Sequence, residues 1–526
     1  MLKLTDLDNT SIATDPDAAI AEATDLARRG RRAEAESILR QLVEKQPSVD
    51  AWNALGGVCR AGARLAEARQ CYEHALKLAD GNGRIMSNVA GVLAMLGQTP
   101  EAIDLLGRAV AAEPDNPAVR SNYLMHLHYA DTLKAATLLA EHRKANRCYR
   151  AAPRPPVDRP DPDRPLRVGF IGPDFRRHSV AFFFESLLDA PDPQAAHMTI
   201  YADVPAPDDT SRRLAGKADA WCDIDRLDDD QAAQQIRNDD IDVLIDLAGH
   251  TRGNRLGVLA RRPAPLQGTY LGYPDTTGLD AVDFRISDAI ADPPDNEDAC
   301  SERLLRLDGC FLCYRPPQLA PPVETALPSD SAAQVTFGAF CTQPKINDNV
   351  LALWAAVLTA VPDSRLLLKL RGQPEDNLDH IFARKLHDLG VDPQRLTVAT
   401  SCTFADHLAL HRFVDVMLDT YPYNGTTSTC EALTMGVPVV SLAGAHHASR
   451  VGLSLLTAAG LGILAAATPQ EYLTLAVSMA RNGDARRLLR RTLRRQMHAN
   501  GLCDPQPFAS AFHVALRTAW RDLLAD

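Results

Sequence analysis

Long apolar runs, clustered cysteines and blocks of positive charge are scarce in this sequence, and each scarcity excludes a class of protein. The stretch from Val451 to Gln470 is uncharged, but its glycines, Ser454 and Thr457 suit a packed helix and strand. A bilayer crossing wants about 20 strongly apolar residues. The opening MLKLTDLDNTS lacks the apolar core of a secretory leader, so a cytoplasmic chain with reduced thiols and no membrane partner is expected. Of the 11 cysteines, Cys310 and Cys313 form a lone CxxC without a second pair or a histidine cluster. Buried thiols are expected there rather than zinc. The net charge is −11, which argues against a nucleic-acid partner, since such proteins concentrate Lys and Arg to neutralise phosphates. The dense run Arg486 to Arg495 reads as the solvated face of a helix.

What is present is a large, ordinary globular composition. At 526 residues, with 46% hydrophobic and 23% charged, two to four domains are expected. From residue 15 to 150 the pattern is Ala-rich and helical. Ala102, Leu106, Ala109 and Pro114 fall 34 residues after Ala68, Tyr72, Ala75 and Asp80, while Ala35 and Pro47 precede Ala68 and Asp80 by 33. That is the tetratricopeptide period, with small residues for close helix approach and Trp52 and Tyr72 filling between. Three repeats and a degenerate fourth near Ser121 to Ala145 are expected, stacked into a solenoid that docks a protein or peptide partner. Bracing the next domain is the plainer alternative.

A Pro-rich linker at 151–165 ends the helices. Strand-like runs then alternate with helices: Leu166 to Phe175, Met198 to Val204, Ile241 to His250 and Leu266 to Tyr273 form one series. Val335 to Phe340, Arg365 to Leu370, Arg395 to Thr400, Val414 to Asp419 and Val437 to Leu442 form a second. Continuous Val/Ile/Leu runs of this kind imply parallel sheets covered on both faces, here two doubly wound α/β halves at 166–315 and 332–480, with C-terminal helices at 481–526. Ligands of such folds lie beyond the C-terminal strand ends, here in the cleft between the halves.

DTYPYNGTTSTCEALTMGVPVV, Asp419 to Val440, occupies that location. Thr426, Thr427, Ser428 and Thr429 stand where a helix should begin. They either cap the helix or face an anion: unpaired N-terminal amides attract phosphate, Gly425 permits close backbone approach, and hydroxyls add donors. Capping accounts for one hydroxyl and leaves the others over. Glu431 suits ribose hydroxyls better than an anion. Lys345 follows a strand at its C-terminal end and can set a point charge against a diphosphate. His178, after Asp174, and His250 each end a strand-side segment and can serve as base or donor at the cleft.

The stretch LIDLAGHTRGNRLGVLARRPAPLQGTYLGYPDTTGLDAVDFRISDAIADPP, with DGCFLCY, VTFGAFCTQPKIN and YPYNGTTSTCEALTMGVPVVSLAG, resembles the O-GlcNAc transferase and SPINDLY family of protein O-glycosyltransferases. The resemblance implies a tetratricopeptide solenoid followed by a GT-B pair of Rossmann-like halves. It further implies inverting transfer of a sugar from a nucleotide-sugar donor to Ser or Thr of protein acceptors, with no required metal or other cofactor. By position, Lys345 matches the lysine on the donor diphosphate, and Thr426, Thr427 and Ser428 the phosphate-binding turn. Glu431 matches the ribose acid, His407 a histidine beside the nucleobase, and His178 a general-base candidate. Asp174, His250, Thr342, Gln343 and Gly425 complete the expected donor site. Thr342 replaces a Gln, Phe404 a base-contacting Lys and Thr426 a His of the animal enzymes, whose long intervening insertion is also missing. PYNGTTSTCE and DGCFLCY look closer to SPINDLY, whose plant members use GDP-fucose, so the donor is expected to be UDP-GlcNAc with GDP-fucose as the alternative. A metal site at Asp223/Asp225 or Asp240/Asp242, and a non-catalytic adaptor, are the competing readings.

Overall fold

In the computed structural model residues 15–130, 133–157, 161–332 and 334–525 are described. Helices pair antiparallel from the start of that range: α1 (Pro16–Arg28) with α2 (Arg32–Lys45), α3 (Val49–Ala61) with α4 (Leu65–Leu78), and α5 (Gly83–Met95) with α6 (Thr99–Ala112). A fourth, shorter pair is α7 (Pro117–Leu127) and α8 (Ala135–Arg143). The leading helix of every pair has a side-chain N-cap, from Asp15, Ser48, Asn82 and Asn116, which satisfies an otherwise orphaned amide. Ala35, Ala68 and Ala102, the repeating small residues, are fully buried. Tyr72 lies flat against Gly56, where a Cβ would come 2.6 Å from its ring. Trp52 fills between α3 and α4 as expected, half-buried and stacked on His74 of α4 at 4.6 Å.

Residues 158–160 of the linker lie outside the described set; the segment before them runs along the first α/β half, Ala152 N donating to Ala260 O at 2.7 Å. The first sheet contains β1 (Leu166–Gly172), β2 (Ala196–Ala202), β3 (Ala220–Asp223), β4 (Val243–Asp246), β5 (Leu266–Thr269), β6 (Phe284–Asp288) and β7 (Arg303–Leu307). Its order is β3-β2-β1-β4-β5-β6-β7. The second contains β8 (Val335–Phe340), β9 (Ser364–Lys369), β10 (Leu396–Ala399), β11 (Val416–Leu418), β12 (Val439–Leu442) and β13 (Ala465–Ala466), in the order β10-β9-β8-β11-β12-β13. Every pairing is parallel. The order reverses at β1/β4 and at β8/β11, and doubly wound sheets bind ligands beyond the strand ends at such a reversal.

The last helices do not form a separate unit. Helix Gly483–Ala499 packs on the second half, and its arginines correct the expectation of a solvated face. Arg486 and Arg490 are buried; Arg490 donates to Val414 O at 2.7 Å, and Arg494 donates to Thr434 O at 2.7 Å. At four-residue spacing these guanidinium groups form one inward stripe that satisfies loose carbonyl ends, which charge counting alone does not reveal. Helix Pro505–Ala525 returns to the first sheet, with the Phe512 ring 5.5 Å from Tyr270 and Arg303 paired to Asp522 at 2.6 Å. Among the described residues no helix is long and apolar enough to cross a membrane.

The solenoid grips both halves. Ala66 N donates to Asp376 Oδ1 at 2.8 Å and Lys385 Nζ to Gly97 O at 3.0 Å on the second half. On the first, His142 Nε2 meets Tyr273 OH at 2.7 Å and Asn146 Nδ2 donates to Gly278 O at 2.9 Å. Gly278 has φ +74, and a Cβ there would fall 2.2 Å from the His142 carbonyl carbon, so only glycine permits this approach.

Candidate active site

Two strand ends of the second half are tied together below the cleft. Asn347 caps the helix after β8, accepting from Val350 N at 2.9 Å, and donates to Tyr421 O at 2.8 Å. This holds Lys345 against the turn after β11: its Nζ donates to Asn424 O at 2.8 Å and lies 3.7 Å from the Tyr423 ring centroid. Burial lowers its pKa to about 8, with Asp419 opposing. Asp419 is the hub of the turn, accepting from Gly425 N at 2.7 Å, Thr420 N at 2.8 Å and Ser441 Oγ at 2.6 Å. Burial pushes its carboxyl up to about 6 against those bonds. Gly425 lets the turn close tightly: a Cβ there would meet Ser428 Oγ at 2.3 Å and Asp419 Oδ1 at 3.1 Å.

Helix Thr427–Thr434 has Thr426 at its N-cap position, yet no side-chain cap bond forms. Thr429 turns back to Gly425 O at 2.9 Å. Thr426, Thr427 and Ser428 instead line a cavity of about 950 Å³, together with Thr342, Lys345, His407, Glu431 and, from the facing half, His178 and Phe182. Unpaired first-turn amides point the same way. One end of the cavity is therefore cationic and rich in donors. At the other, Phe404 stacks on Phe182 at 5.7 Å and 15°, and His407 Nε2 meets Glu431 Oε2 at 2.9 Å while its Nδ1 is buried with no partner. That end can hold a planar ring and sugar hydroxyls.

Across the cleft, His178 precedes helix α9 (Ser179–Leu188) as its N-cap, with Nδ1 3.4 Å from Val180 N and 3.4 Å from Asp174 Oδ1. Burial lowers the imidazole pKa and Asp174 opposes it; burial likewise raises Asp174, with His178 opposing. Asp174 thus stands behind His178 rather than lining the cavity. Gln343 is also corrected: it is fully buried, and its amide is hydrogen-bonded to the Arg371 backbone, positioning that loop. His250 is corrected outright. It lies under the solenoid with Nδ1 at 2.9 Å from Ser121 Oγ and Nε2 at 2.7 Å from Thr277 O, and burial lowers its pKa to about 3. A strand end reads as cleft-facing only until another domain covers it. Gly425 acts through its backbone bond to Asp419.

Sequence reasoning missed Asp419, Tyr423 and Phe182. An acid closing a buried strand just before a glycine turn was the available signal for Asp419; nothing in the sequence marks Phe182 as Phe404's partner. The DxD pairs lie elsewhere: Asp242 Oδ2 binds Arg164 at 2.6 Å, Asp240 binds Arg167 at 3.0 Å, and Asp223 accepts from Trp221 Nε1 at 2.8 Å. Among the described residues one group has metal-ligand proximity, His128, His142 and Asp275, under the solenoid. The Tyr273 hydroxyl bridges its two imidazoles at 3.1 and 2.7 Å.

A solenoid followed by two Rossmann-like halves, closing on a nucleotide-sized cavity with a phosphate-ready turn, defines a GT-B-type transferase architecture. The model of glycosyl transferase family 41 matches residues 140–319 and 322–512, and a tetratricopeptide model matches 47–113. The chain belongs to glycosyl transferase family 41. A Thermobaculum terrenum O-GlcNAc transferase mutant superposes with TM-score 0.91 at 32% identity, covering 98% of this chain and 99% of that one. An Arabidopsis thaliana protein named probable UDP-N-acetylglucosamine–peptide N-acetylglucosaminyltransferase SPINDLY is 42% identical over 366 residues, 69% of this chain and 40% of the relative. The Arabidopsis protein named likewise but SEC is 29% identical over 64% of this chain and 35% of its own length. The chain thus spans less than half the length of these curated relatives.

Proposed function

We propose that this chain is an inverting protein O-glycosyltransferase that moves a sugar, GlcNAc from UDP-GlcNAc in the first instance, to Ser or Thr hydroxyls of protein acceptors. The observation that carries the reading is the pairing of a desolvated Lys345 ammonium with three uncapping hydroxyls, Thr426, Thr427 and Ser428, on one cavity wall. Glycosyl transfer from a nucleoside diphosphate sugar needs a fixed positive environment for the departing diphosphate. Lys345 and the helix N-terminus supply it without moving, the kind of preorganised term worth several kcal/mol. His178, backed by Asp174, is the group able to take the acceptor proton from the opposite face. The solenoid offers acceptor docking: Asn53 and Asn88 of successive repeats are joined at 2.7 Å, and Asn122 reaches Ser87 Oγ at 2.8 Å, a polar line along the repeats.

A second reading, fucosyl transfer from GDP-fucose, rests on the resemblance of PYNGTTSTCE and DGCFLCY to the SPINDLY branch and on Phe404 forming one wall of the ring-binding end. Calorimetric titration in EDTA with UDP-GlcNAc and, separately, GDP-fucose decides between them. Saturable binding of the UDP sugar supports the first reading, binding of the GDP sugar alone supports the second, and binding of neither refutes both.

A further inference from the structure

Guanidinium groups gather between the donor cavity and the inner side of the solenoid. Arg32 and Arg60 come from α2 and α3, Arg252 from the loop after β4, Arg371 from the loop after β9, and Arg176 from the loop after β1. Two backbone approaches bring them together. Gln373 Nε2 donates to Gly62 O at 3.4 Å, setting the Arg371 loop against the end of α3. Gly253 lies on Pro173, where a Cβ would come within 3.3 Å, setting the Arg252 loop beside that of Arg176. Arg60 Nε is buried with no hydrogen-bond partner. Arg60 is the largest influence lowering Arg252, followed by burial and then Arg371 and Arg176; burial and then Arg32 and Arg60 lower Arg371. Tyr72 opposes at Arg252, and among the described residues neither Arg252 nor Arg371 has an ion pair with a carboxylate.

This is not the general habit of the solenoid. Arg40 and Arg64, on α2 and just before α4, are neutralised by Glu36 and Glu67. Nor does the donor account for the cluster: Lys345 and the 426–428 turn already face the phosphate end, and Arg32 and Arg60 lie outside the cavity lining. Arg371 and Arg177 do line it, so the positive region opens onto the cavity. Arg176 is paired to Asp174 at 3.9 Å; among the described residues no ion pair neutralises Arg32, Arg60, Arg252 or Arg371, and in a chain of net charge −11 such like charges await an anion. An extended segment crossing from solenoid to cleft passes them before its hydroxyl meets the donor.

We propose that this arginine cluster selects acceptors, recognising Asp or Glu side chains placed within a few residues of the modified Ser or Thr. The inference rests on the transferase reading above for its direction of use, but its test does not depend on turnover. Labelled synthetic peptides sharing one central Thr, flanked by Asp and Glu, by Asn and Gln, or by Lys, are titrated against the whole chain by fluorescence anisotropy without donor. The acidic peptide should bind about tenfold tighter than the neutral one at low salt, and the advantage should shrink as salt is added. Arg60→Glu should remove the preference and favour the Lys peptide, while calorimetric binding of the nucleotide sugar stays unchanged. Indistinguishable binding of the three peptides to the unaltered chain, including no binding, overturns the proposal. Preference for the acidic peptide with no binding of either nucleotide sugar would refute the transferase reading and leave the surface in place.

Discussion

Lys345→Ala removes a single ammonium that is held in place from two sides, by Asn424 O at 2.8 Å and the Tyr423 ring at 3.7 Å. At an effective dielectric near 20, one such charge about 4 Å from a phosphate oxygen interacts by roughly 4 kcal/mol. Loss of one preorganised donor to developing negative charge typically lowers kcat by about 10²–10³. The fold should survive. Holding this ammonium at a pKa of about 8 instead of 10.5 costs the folded chain about 3 kcal/mol. Relief of that cost offsets the roughly 1–3 kcal/mol of leaving Asn424 O unpaired. The assay is turnover on an acceptor peptide beside a thermal melt: kcat should fall at least about a hundredfold with an almost unchanged melt. A folded variant within about tenfold of the parent would refute the role of Lys345. The pH dependence has a fixed sign. The folded-state pKa lies below the unfolded value, so the penalty on stability is full below about 8 and fades as pH rises toward 10.5. Donor affinity runs the other way, because it needs the ammonium. It should be full near pH 7 and about tenfold weaker near pH 9, followed by titration calorimetry. A flat profile over that window would show that the charge of Lys345 does not hold the donor.

His178→Ala should lower kcat by about 10²–10⁴ with donor affinity retained, measured by steady-state kinetics; a drop smaller than about tenfold removes it as the base. Asp419→Asn keeps the shape but weakens the three bonds that set the Gly425 turn. Donor binding should loosen about tenfold by calorimetry, and an unchanged value would mean that the turn is held without the carboxylate. Gly56→Ala drives a methyl to within 2.6 Å of the buried Tyr72 ring. Chemical denaturation should show about 1–3 kcal/mol lost, and no loss would mean that the helix pair can spread.

Legibility followed the hydrophobic pattern. Strands β8, β9, β11 and β12 each hold an apolar segment (Phe337–Phe340, Leu366–Leu368, Val416–Leu418, Val439–Val440) and are readable from sequence, as is the repeat whose Ala35, Ala68 and Ala102 are buried. β3 (AWCD), β6 (FRISD) and β7 (RLLRL) were not, because short strands carrying charge look like loops. In β6 the charge is neutralised in place, Arg285 meeting Asp292 at 2.9 Å, and no local pattern reveals a pair closed by tertiary structure. The cleft was readable where its residues come from one turn, Gly425 to Glu431. It was misread at His250 and Gln343, whose partners arrive from α7 and from the loop after β9. Residues that gain their surroundings from distant segments carry no sign of it in sequence.

The solenoid is fastened to the second half at its middle, and to the first half at its opening helix, where Arg28 donates to Asp225 O at 3.3 Å, and at its last pair. It therefore acts as a mechanical strut across the joint. Swinging the two halves apart requires either tearing buried contacts such as His142–Tyr273 or flexing the helical stack itself. Stacked repeats bend like a spring, each neighbour sharing a small part of the strain. The gape of the cleft is then set by the stiffness of the repeats as much as by the linker between the halves. Softening one repeat far from the chemistry would change how readily a spent nucleotide escapes.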